Sequence, residues 1–443
     1  MLRTAGALAG AVFVAWAMIV IAGGAAVAAQ EDGGEAATPK VIRQGKAANV
    51  PLPQVKPVRA ESSAPAPSTC QPADDAALWA SLPATLRDVP LRKMIGQLLV
   101  VSYTGTTPGA RGVADTVKAL RRSEISGVLT FRHNIKSASA TRQINALFRD
   151  ANPVLPALIA VDQEGGAVMR VKPSEGAPKT PSAKRIGQGS VAAAEKAYGG
   201  MARALADLGF TVNFGPVVDL AVNPNNPVIA KFGRAYGKDP AKVSAFAGAF
   251  VRAHRAAGVA TSVKHFPGHG SSTADSHDGA IDITPTWRES ELLPFQNLIA
   301  DGLADMIMIG HLELSGLTGP GDLPASLSPI AITDVLRNRL CFTGLVVSDD
   351  LAMSAIENHW GSPEAARLMI EAGGDLALVS LPSGKGLKLV AEITDYLVEA
   401  AETSDAFAEK IRRAYARVVA HKLGQAPPQP KGEASEGVTI AAE

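Results

Sequence analysis

The feature that most constrains the fold is a regular alternation of short apolar runs with amphipathic stretches between residues 98 and 380. Each run has the length of a buried strand, and helical patterns such as Val191–Leu208 and Ala241–Ala257 lie between most of them. The predicted strands are Leu98–Tyr103, Gly127–Phe131, Ala157–Val161, Val212–Val218, Ser262–His265, Asp305–Ile309, Gly344–Ser348 and Leu376–Ser380. Strands that alternate with helices favour a parallel sheet, and eight of them favour a single (β/α)8 barrel of the TIM type. An open doubly wound sheet is the alternative, but no Gly-rich phosphate loop follows the first strand.

The composition predicts one globular domain between two ends of low complexity. The chain has 443 residues, of which 47% are hydrophobic and 19% charged, so it can bury a large core. A net charge of +1 and an aromatic content of 5% give no indication of a nucleic-acid partner. Residues 30–74, rich in Ala, Pro, Gly and Ser, are expected to form an extended or disordered linker. The barrel is assigned to residues 75–424, and residues 425–443 are expected to be a disordered tail.

Residues 1–29 are expected to be a signal peptide or a membrane anchor. Arg3 precedes a stretch without charge from Ala5 to Ala29, and Ala26-Val27-Ala28 has the pattern of a signal-peptidase site. The same stretch is long enough to span a bilayer as a helix, which takes about 20 residues. Both interpretations predict export, to the periplasm or the extracellular space, with or without a tether to the inner membrane.

The two cysteines are expected to form a disulfide. An oxidising compartment permits a bridge. Cys70 precedes the segment that enters the first strand, and Cys341 precedes the seventh strand, so both are expected on the amino-terminal face of the barrel. Two free thiols are the alternative.

Charged residues follow strand after strand. The residues at these positions are Asp162, Asp219, Lys264, His265, His311 and Asp349. The carboxyl ends of the strands form the active-site face of a (β/α)8 barrel, so this pattern predicts an active site. We expect Asp349 to serve as a nucleophile or base and Asp162 to bind vicinal hydroxyls, with His311 as a further substrate-binding candidate. Alternatively, Asp162–Gly166 is an ordinary turn and Ser348–Asp350 is a helix cap.

The loop after the fifth strand is rich in titratable groups. It begins with Lys264-His265-Phe266-Pro267-Gly268-His269-Gly270 and continues to Asp275-Ser276-His277. His-x3-His is a zinc spacing on a helix, but Pro and Gly interrupt it here, so no metal is expected. Residues two apart in an extended loop point the same way, and an Asp beside a His tunes it as a proton donor and acceptor. Asp275 and His277 are therefore predicted to act together; a solvated polar loop is the alternative.

These residues resemble the signature of family 3 glycoside hydrolases, in the β-N-acetylglucosaminidase branch. The resemblance covers residues 90 to 420, and the motifs occur in the family's order. It rests on the histidine loop and on Val161–Gly166, Asn213–Asp219, Gly233–Tyr236 and Phe342–Met353. It implies a retaining exo-β-N-acetylglucosaminidase that acts on peptidoglycan fragments or chitooligosaccharides with no metal or organic cofactor. We expect the protein to be a monomer.

The resemblance also implies a role for each site residue. Asp349 is expected to be the nucleophile, and His277, with Asp275 as its partner, the general acid and base. A larger group is expected to hold the hydroxyls and acetamido group of the sugar, namely Asp162, Arg170, Arg234, Lys264 and His265. The sequence departs from the family at Ala167, where an Arg is usual, and this affects the expected specificity rather than the chemistry.

Four alternatives remain open at this point. Two belong to the same family, a phosphorylase and a β-glucosidase. The others are a metal-dependent hydrolase that uses His265, His269 and Asp275, and a wall-binding protein without activity. The complete set of Asp349, Asp275 and His277 disfavours the last.

Overall fold

A computed structural model describes residues 74–275, 279–319, 323–381 and 386–424 of the chain. Within these residues the eight expected strands all form. They are β1 Leu99–Ser102, β2 Gly127–Thr130, β3 Leu158–Val161, β4 Val212–Asn213, β5 Ala260–Phe266, β6 Met306–Ile309, β7 Leu345–Ser348 and β8 Ala377–Val379. Most of their residues are buried, as expected for strands covered on both faces. Residues 1–73 and 425–443, which hold the expected leader, nearly all of the linker and the tail, lie outside the described part.

The strands form a parallel, near-closed barrel. The order in the sheet is β7-β6-β5-β4-β3-β2-β1-β8. Val347 and Leu376 form a further parallel bridge between β7 and the start of β8, which brings the two edges together. Ser348 N–H also donates to the carbonyl of Leu376 at 3.0 Å. The arrangement agrees with the predicted (β/α)8 barrel.

A helix follows each strand and covers the outside of the barrel. In chain order these are Arg111–Arg121, Ala138–Arg149, Val191–Asp207, Pro240–Arg255, Leu293–Ala300, Ile330–Arg339, Gly361–Glu371 and Leu387–Glu402. The sixth, Ile330–Arg339, is π-helical. Ser137, Ser190 and Asp239 each cap the helix that follows them by accepting a backbone N–H. The amphipathic stretches of the sequence therefore fold as the crossover helices that they predict.

Several short elements complete the fold. Before β1 lie Asp75–Ser81, Ala84–Arg87 and Leu91–Gly96, and the chain's last described helix is Asp405–Lys422. Two further short helices are Ala183–Ile186 and Ser354–Glu357, and single 3-10 turns occur at Arg132–Asn134, Pro173–Glu175, Glu289–Glu291 and Ala325–Leu327. Gln163–Gly165 pairs with Val168–Met169, and Ile281–Asp282 with Leu312–Glu313. No helix in the described ranges combines the length and the apolar character that a membrane span requires.

The fourth strand is shorter than predicted. Regular pairing of β4 ends at Asn213, whereas the sequence favours a strand to Val218. Pro216 has no N–H to donate to the sheet, so it interrupts the ladder. The chain nevertheless continues beside β5, because Val217 bridges Lys264 and Val218 N–H donates to the Lys264 carbonyl at 2.8 Å. This placement carries Asp219 to the carboxyl end of β5.

Cys341 lies just before β7 and is disulfide-bonded. Its expected partner, Cys70, lies outside the described residues, so the Cys70–Cys341 pairing stays a prediction. On the described side, Asp75 of the first helix accepts from Arg417 of the last helix at 2.7 Å. The Tyr415 hydroxyl donates to the Leu86 carbonyl at 2.8 Å. These contacts join the start of the domain to its final helix.

Candidate active site

A cavity of about 370 Å³ opens at the carboxyl ends of the strands. Its volume lies at the lower end of the range of pockets for small ligands. Most of the charged residues predicted for the site line it, namely Asp162, Arg170, Arg234, Lys264, His265, Asp275 and Asp349. Apolar side chains line it as well, among them Phe131, Val228, Phe232 and Met353. Most of the predicted site residues, although distant in sequence, therefore share one cavity.

Lys264 is the centre of a buried ion-pair network. Its Nζ lies 2.8 Å from Asp162 Oδ1 and 2.9 Å from Glu164 Oε1, and its side chain is only 3% exposed. Arg234 donates two bonds to Glu164, from Nε at 2.8 Å and from Nη2 at 2.7 Å. Burial opposes all these charges, but Arg234 and Lys264 hold the pKa of Glu164 far below its ordinary value. Asp162 and Glu164 in turn raise the pKa of Lys264 despite burial. Glu164 and Lys264 are thus both charged at neutral pH.

Arg170 has donors to offer a ligand. Its Nη2 lies 3.6 Å from Asp162 Oδ2, which is a loose ion pair. Its buried Nε has no hydrogen-bond partner among the described residues. Gln163 positions this arginine, because its side-chain amide exchanges two 2.9 Å bonds with the backbone of Val171. Asp162 and Arg170 therefore present an acceptor and donors to the same side of the cavity.

His265 is held by Asp219, a residue to which the sequence assigned no role beyond its place after a strand. His265 Nδ1 lies 2.7 Å from Asp219 Oδ2, and Asp219 Oδ1 accepts from the backbone N–H of His269 at 2.7 Å. Burial would raise the pKa of Asp219, but the adjacent His265 and the hydrogen bonds lower it. The Asp219 carboxylate thereby fixes both the imidazole of His265 and the start of the histidine loop.

Asp349 ends β7 with its carboxylate at the cavity. Its Oδ1 accepts the backbone N–H of Asp350 at 2.8 Å, and within the described ranges its Oδ2 accepts no hydrogen bond. Burial alone would raise the pKa of Asp349, but His265, His311 and Lys264 bring it below the ordinary value. The group is therefore an ionised carboxylate with one oxygen available, which is what a nucleophile requires.

His311 lies near Asp349 but is not among the residues that line the cavity. Its Nε2 lies 2.9 Å from the carbonyl of Asp350, and its Nδ1 lies 2.7 Å from Ser326 Oγ. These bonds support the backbone next to Asp349. The expectation that His311 touches substrate remains a prediction.

The histidine loop divides into a described and an undescribed part. Asp275 lines the cavity, and its role in a proton-shuttling pair stays a prediction. Its predicted partner, His277, lies outside the described residues. Nowhere in the described part do three His, Cys, Asp or Glu side chains converge as a metal site would require. In particular, the Nδ1 atoms of His265 and His269 face Asp219 and Ser272, both at 2.7 Å.

Two buried side chains anchor the histidine loop, and neither was predicted from the sequence. The amide of Asn226 donates to the His269 carbonyl at 2.8 Å and to Ser272 Oγ at 3.0 Å. Its oxygen accepts from the backbone of Val228 and Ile229. Asn226 thus joins the loop that carries Arg234 to the loop that carries Asp275. An Asn among Pro and Asn residues is typical of a turn, so its sequence context gave no sign of this contact.

Glu291 is the second anchor. Its Oε2 accepts from the backbone N–H groups of Gly270 and Ser271 at 3.0 and 3.2 Å, and the residue is fully buried. Gly268, at φ +123°, lies so close that a Cβ there would sit 2.7 Å from the Glu291 Cβ. Glycine at 268 is therefore required by both the backbone conformation and the close approach.

Glu291 makes stability depend on pH. Burial raises its pKa from 4.5 to about 7, although the two amides oppose the shift. A carboxyl whose pKa is higher in the folded chain stabilises the fold fully below pH 4.5, and the stabilisation is lost as pH rises through about 7. We expect wild type to lose a few kcal/mol of unfolding free energy relative to Glu291→Gln between pH 5 and 8. Urea denaturation at several pH values checks this, with the exposed Glu399→Gln as control. A difference between wild type and Glu291→Gln that does not vary with pH would contradict it.

Comparison with known proteins identifies the family of this chain. Residues 90–420 match the model of the glycosyl hydrolase family 3 N terminal domain. A β-hexosaminidase of Stenotrophomonas maltophilia is 38% identical over 273 residues, which cover 59% of this chain and 78% of that protein. The β-hexosaminidase LpqI of Mycobacterium tuberculosis is 35% identical over 308 residues, covering 68% and 74%.

Comparison with solved structures identifies the same family. A family 3 β-N-acetylglucosaminidase from Paenibacillus superposes with a TM-score of 0.69 at 32% identity, over 80% of this chain and 65% of that one. A β-N-acetylhexosaminidase from Beutenbergia cavernae gives a TM-score of 0.67 at 30% identity, over 76% and 99%. The chain therefore belongs to glycoside hydrolase family 3 and is a glycoside hydrolase, related to proteins named β-hexosaminidase and β-N-acetylglucosaminidase.

Proposed function

We propose that the protein is a retaining exo-β-N-acetylglucosaminidase that releases terminal β-linked N-acetylglucosamine from peptidoglycan fragments or chitooligosaccharides. The observation that carries the proposal is the ionised Asp349 with one available oxygen, in a cavity that also holds Asp162, Arg170 and Lys264. A hexosamine offers hydroxyl and acetamido groups, which pair with such carboxylates and cations. The names of the related proteins support the same substrate.

The chemistry follows as two displacements. Asp349 Oδ2 attacks the anomeric carbon, and the bond to the leaving oxygen breaks while His277 gives that oxygen a proton. A water then attacks the anomeric carbon of the glycosyl-enzyme, gives its proton to His277 and frees Asp349. In both steps the ion pairs around Lys264 keep the binding groups charged and fixed, so little reorganisation is needed when charge develops. Asp275 is proposed to orient His277.

We also propose that the enzyme acts outside the cytoplasm. The leader-like sequence of residues 1–29 supports this location. The disulfide-bonded Cys341 supports it as well, because disulfides persist mainly in oxidising compartments.

The test of the proposed function is a product assay with purified protein. One substrate is N,N′-diacetylchitobiose, and the other is N-acetylglucosamine β-linked to anhydro-N-acetylmuramic acid. Release of N-acetylglucosamine from either substrate supports the proposal, and the ratio of the two rates identifies the preferred aglycone. A product that is N-acetylglucosamine 1-phosphate, formed only when phosphate is added, would instead identify a phosphorylase. No cleavage of either would contradict the function.

Asn226 should matter for turnover although it does not line the cavity. In Asn226→Ala four backbone groups lose a buried partner, which costs about 1–3 kcal/mol of stability. The loop with Asp275 also loses its fixed position, so we expect kcat on an aryl β-N-acetylglucosaminide to fall by roughly tenfold to a hundredfold. Its neighbour Asn225 is exposed, and Asn225→Ala is the matched control. Equal kcat values for the two variants would show that Asn226 does not position the loop.

A further inference from the structure

One exposed aromatic side chain belongs to the cavity and has no part in the chemistry above. Phe232 is 46% exposed, and it lines the cavity. The other large hydrophobic side chains exposed in the described part, Leu147, Val154 and Tyr396, do not line it. Leaving a phenyl ring in water is unfavourable, so an exposed ring at a binding cavity points to an apolar surface that a ligand covers.

The cavity has two chemically different parts. Its charged part consists of the network around Lys264 together with Asp349, and most of these side chains are largely buried. Phe232 lies where the cavity meets solvent, with Val228 of the same loop also lining the wall. The sugar that is transferred to Asp349 must lie within reach of that carboxylate. The outer part with the exposed ring is therefore left for the group that departs.

The contacts between the Phe232 loop and the histidine loop place the leaving group on the same side of the cavity. Phe232 is on the loop of residues 222–236, and Asn226 and Asn223 bind this loop to His269 and Ser272 of the histidine loop. Asp275, further along the histidine loop, lines the cavity. The acid that protonates the leaving oxygen must lie on the leaving-group side. The loop of residues 222–236, which is bound to the histidine loop, therefore flanks the leaving-group side of the cavity.

The ring itself is partly pre-ordered. Lys231 Nζ lies over the Phe232 ring, 5.6 Å from its centroid, which is a cation–π contact. The C–H face of a pyranose is apolar and can pack on an aromatic face, as carbon surfaces do in protein interiors. A ring that is already oriented loses less entropy when a sugar packs on it.

We propose that Phe232 is a specificity-determining residue that packs against the first sugar of the aglycone. This inference rests on the proposed glycosidase function. Phe232 should therefore raise kcat/KM only for substrates whose leaving group is a sugar or another ring. A leaving group of one atom does not reach it.

The test compares two substrates in wild type and Phe232→Ala. N,N′-diacetylchitobiose carries a sugar aglycone, whereas N-acetyl-β-glucosaminyl fluoride carries the same transferred sugar with a small leaving group. We expect kcat/KM to fall about tenfold on the disaccharide and to change less than about twofold on the fluoride. Phe232→Trp should retain the activity on the disaccharide, because a larger aromatic face remains.

Leu147→Ala is the matched control, since it removes another exposed large side chain from a helix that does not line the cavity. Equal losses on the two substrates, or no loss on either, would overturn the assignment of Phe232. Wild type that cleaves neither substrate would overturn the proposed function and, with it, this inference. The two failures are therefore distinguishable.

Discussion

Asp349→Asn is expected to lower kcat on an aryl β-N-acetylglucosaminide by roughly three to five orders of magnitude, in line with the loss of other catalytic nucleophiles. The amide has the size of the carboxylate but no negative charge, so it cannot form the glycosyl-enzyme. The fold should persist, because Asn Oδ1 can still accept the backbone N–H of Asp350. A melting temperature modestly below that of wild type is expected at neutral pH, because the lowered pKa of Asp349 means that the fold stabilises the charge that the variant removes.

The neighbouring Asp350→Asn is the control for this variant. Asp350 Oδ1 accepts from the backbone N–H groups of Ala352 and Ser380, and an amide oxygen can accept both. Its activity should therefore fall far less than that of Asp349→Asn. Activity of Asp349→Asn within tenfold of wild type would exclude Asp349 as the nucleophile.

Lys264→Met is expected to give the second large effect, on both stability and activity. The variant removes the ammonium that lies 2.8 Å from Asp162 and 2.9 Å from Glu164, and leaves the partly buried Asp162 facing the buried Glu164. Breaking a buried pair in this way costs about 3–5 kcal/mol of unfolding free energy. Because Asp162 also loses its fixed position, kcat/KM should fall by at least about a hundredfold.

The exposed pair Lys118–Asp115 provides the control for Lys264. Its atoms are 3.1 Å apart, but the Lys118 side chain is 60% exposed. Exposed pairs contribute little, so Lys118→Met should cost less than about 1 kcal/mol in urea denaturation. If the two variants lose the same free energy, the Lys264 network does not stabilise the domain.

The barrel could be predicted because its pattern is local. Each strand is a short apolar run, each crossover helix is amphipathic, and the two alternate eight times along the chain. The strand ends then identify Asp162 and Asp349 without any knowledge of tertiary contacts. The exception is the fourth strand, which ends earlier than predicted, before Pro216. Beyond this proline, a bridge between Val217 and Lys264 keeps the chain beside β5.

The supporting residues could not be predicted, because their partners are distant in sequence. Asp219 meets His265 46 positions later, and Asn226 reaches His269 43 positions later. Glu291 lies in a short turn with two acidic residues, and such turns are usually exposed to solvent. Glu291 is nevertheless fully buried against the histidine loop. Nothing in local spacing or composition distinguishes such residues from ordinary turn residues. They follow only from the packing of one loop on another.

The central claim, a retaining glycosidase specific for β-linked N-acetylglucosamine, is tested most directly by following hydrolysis of an aryl β-N-acetylglucosaminide by proton NMR. The N-acetylglucosamine released should appear as the β-anomer and convert to the α-anomer only by slow mutarotation. Initial appearance of the α-anomer would contradict the double displacement through Asp349. Failure to release N-acetylglucosamine at all would contradict the function.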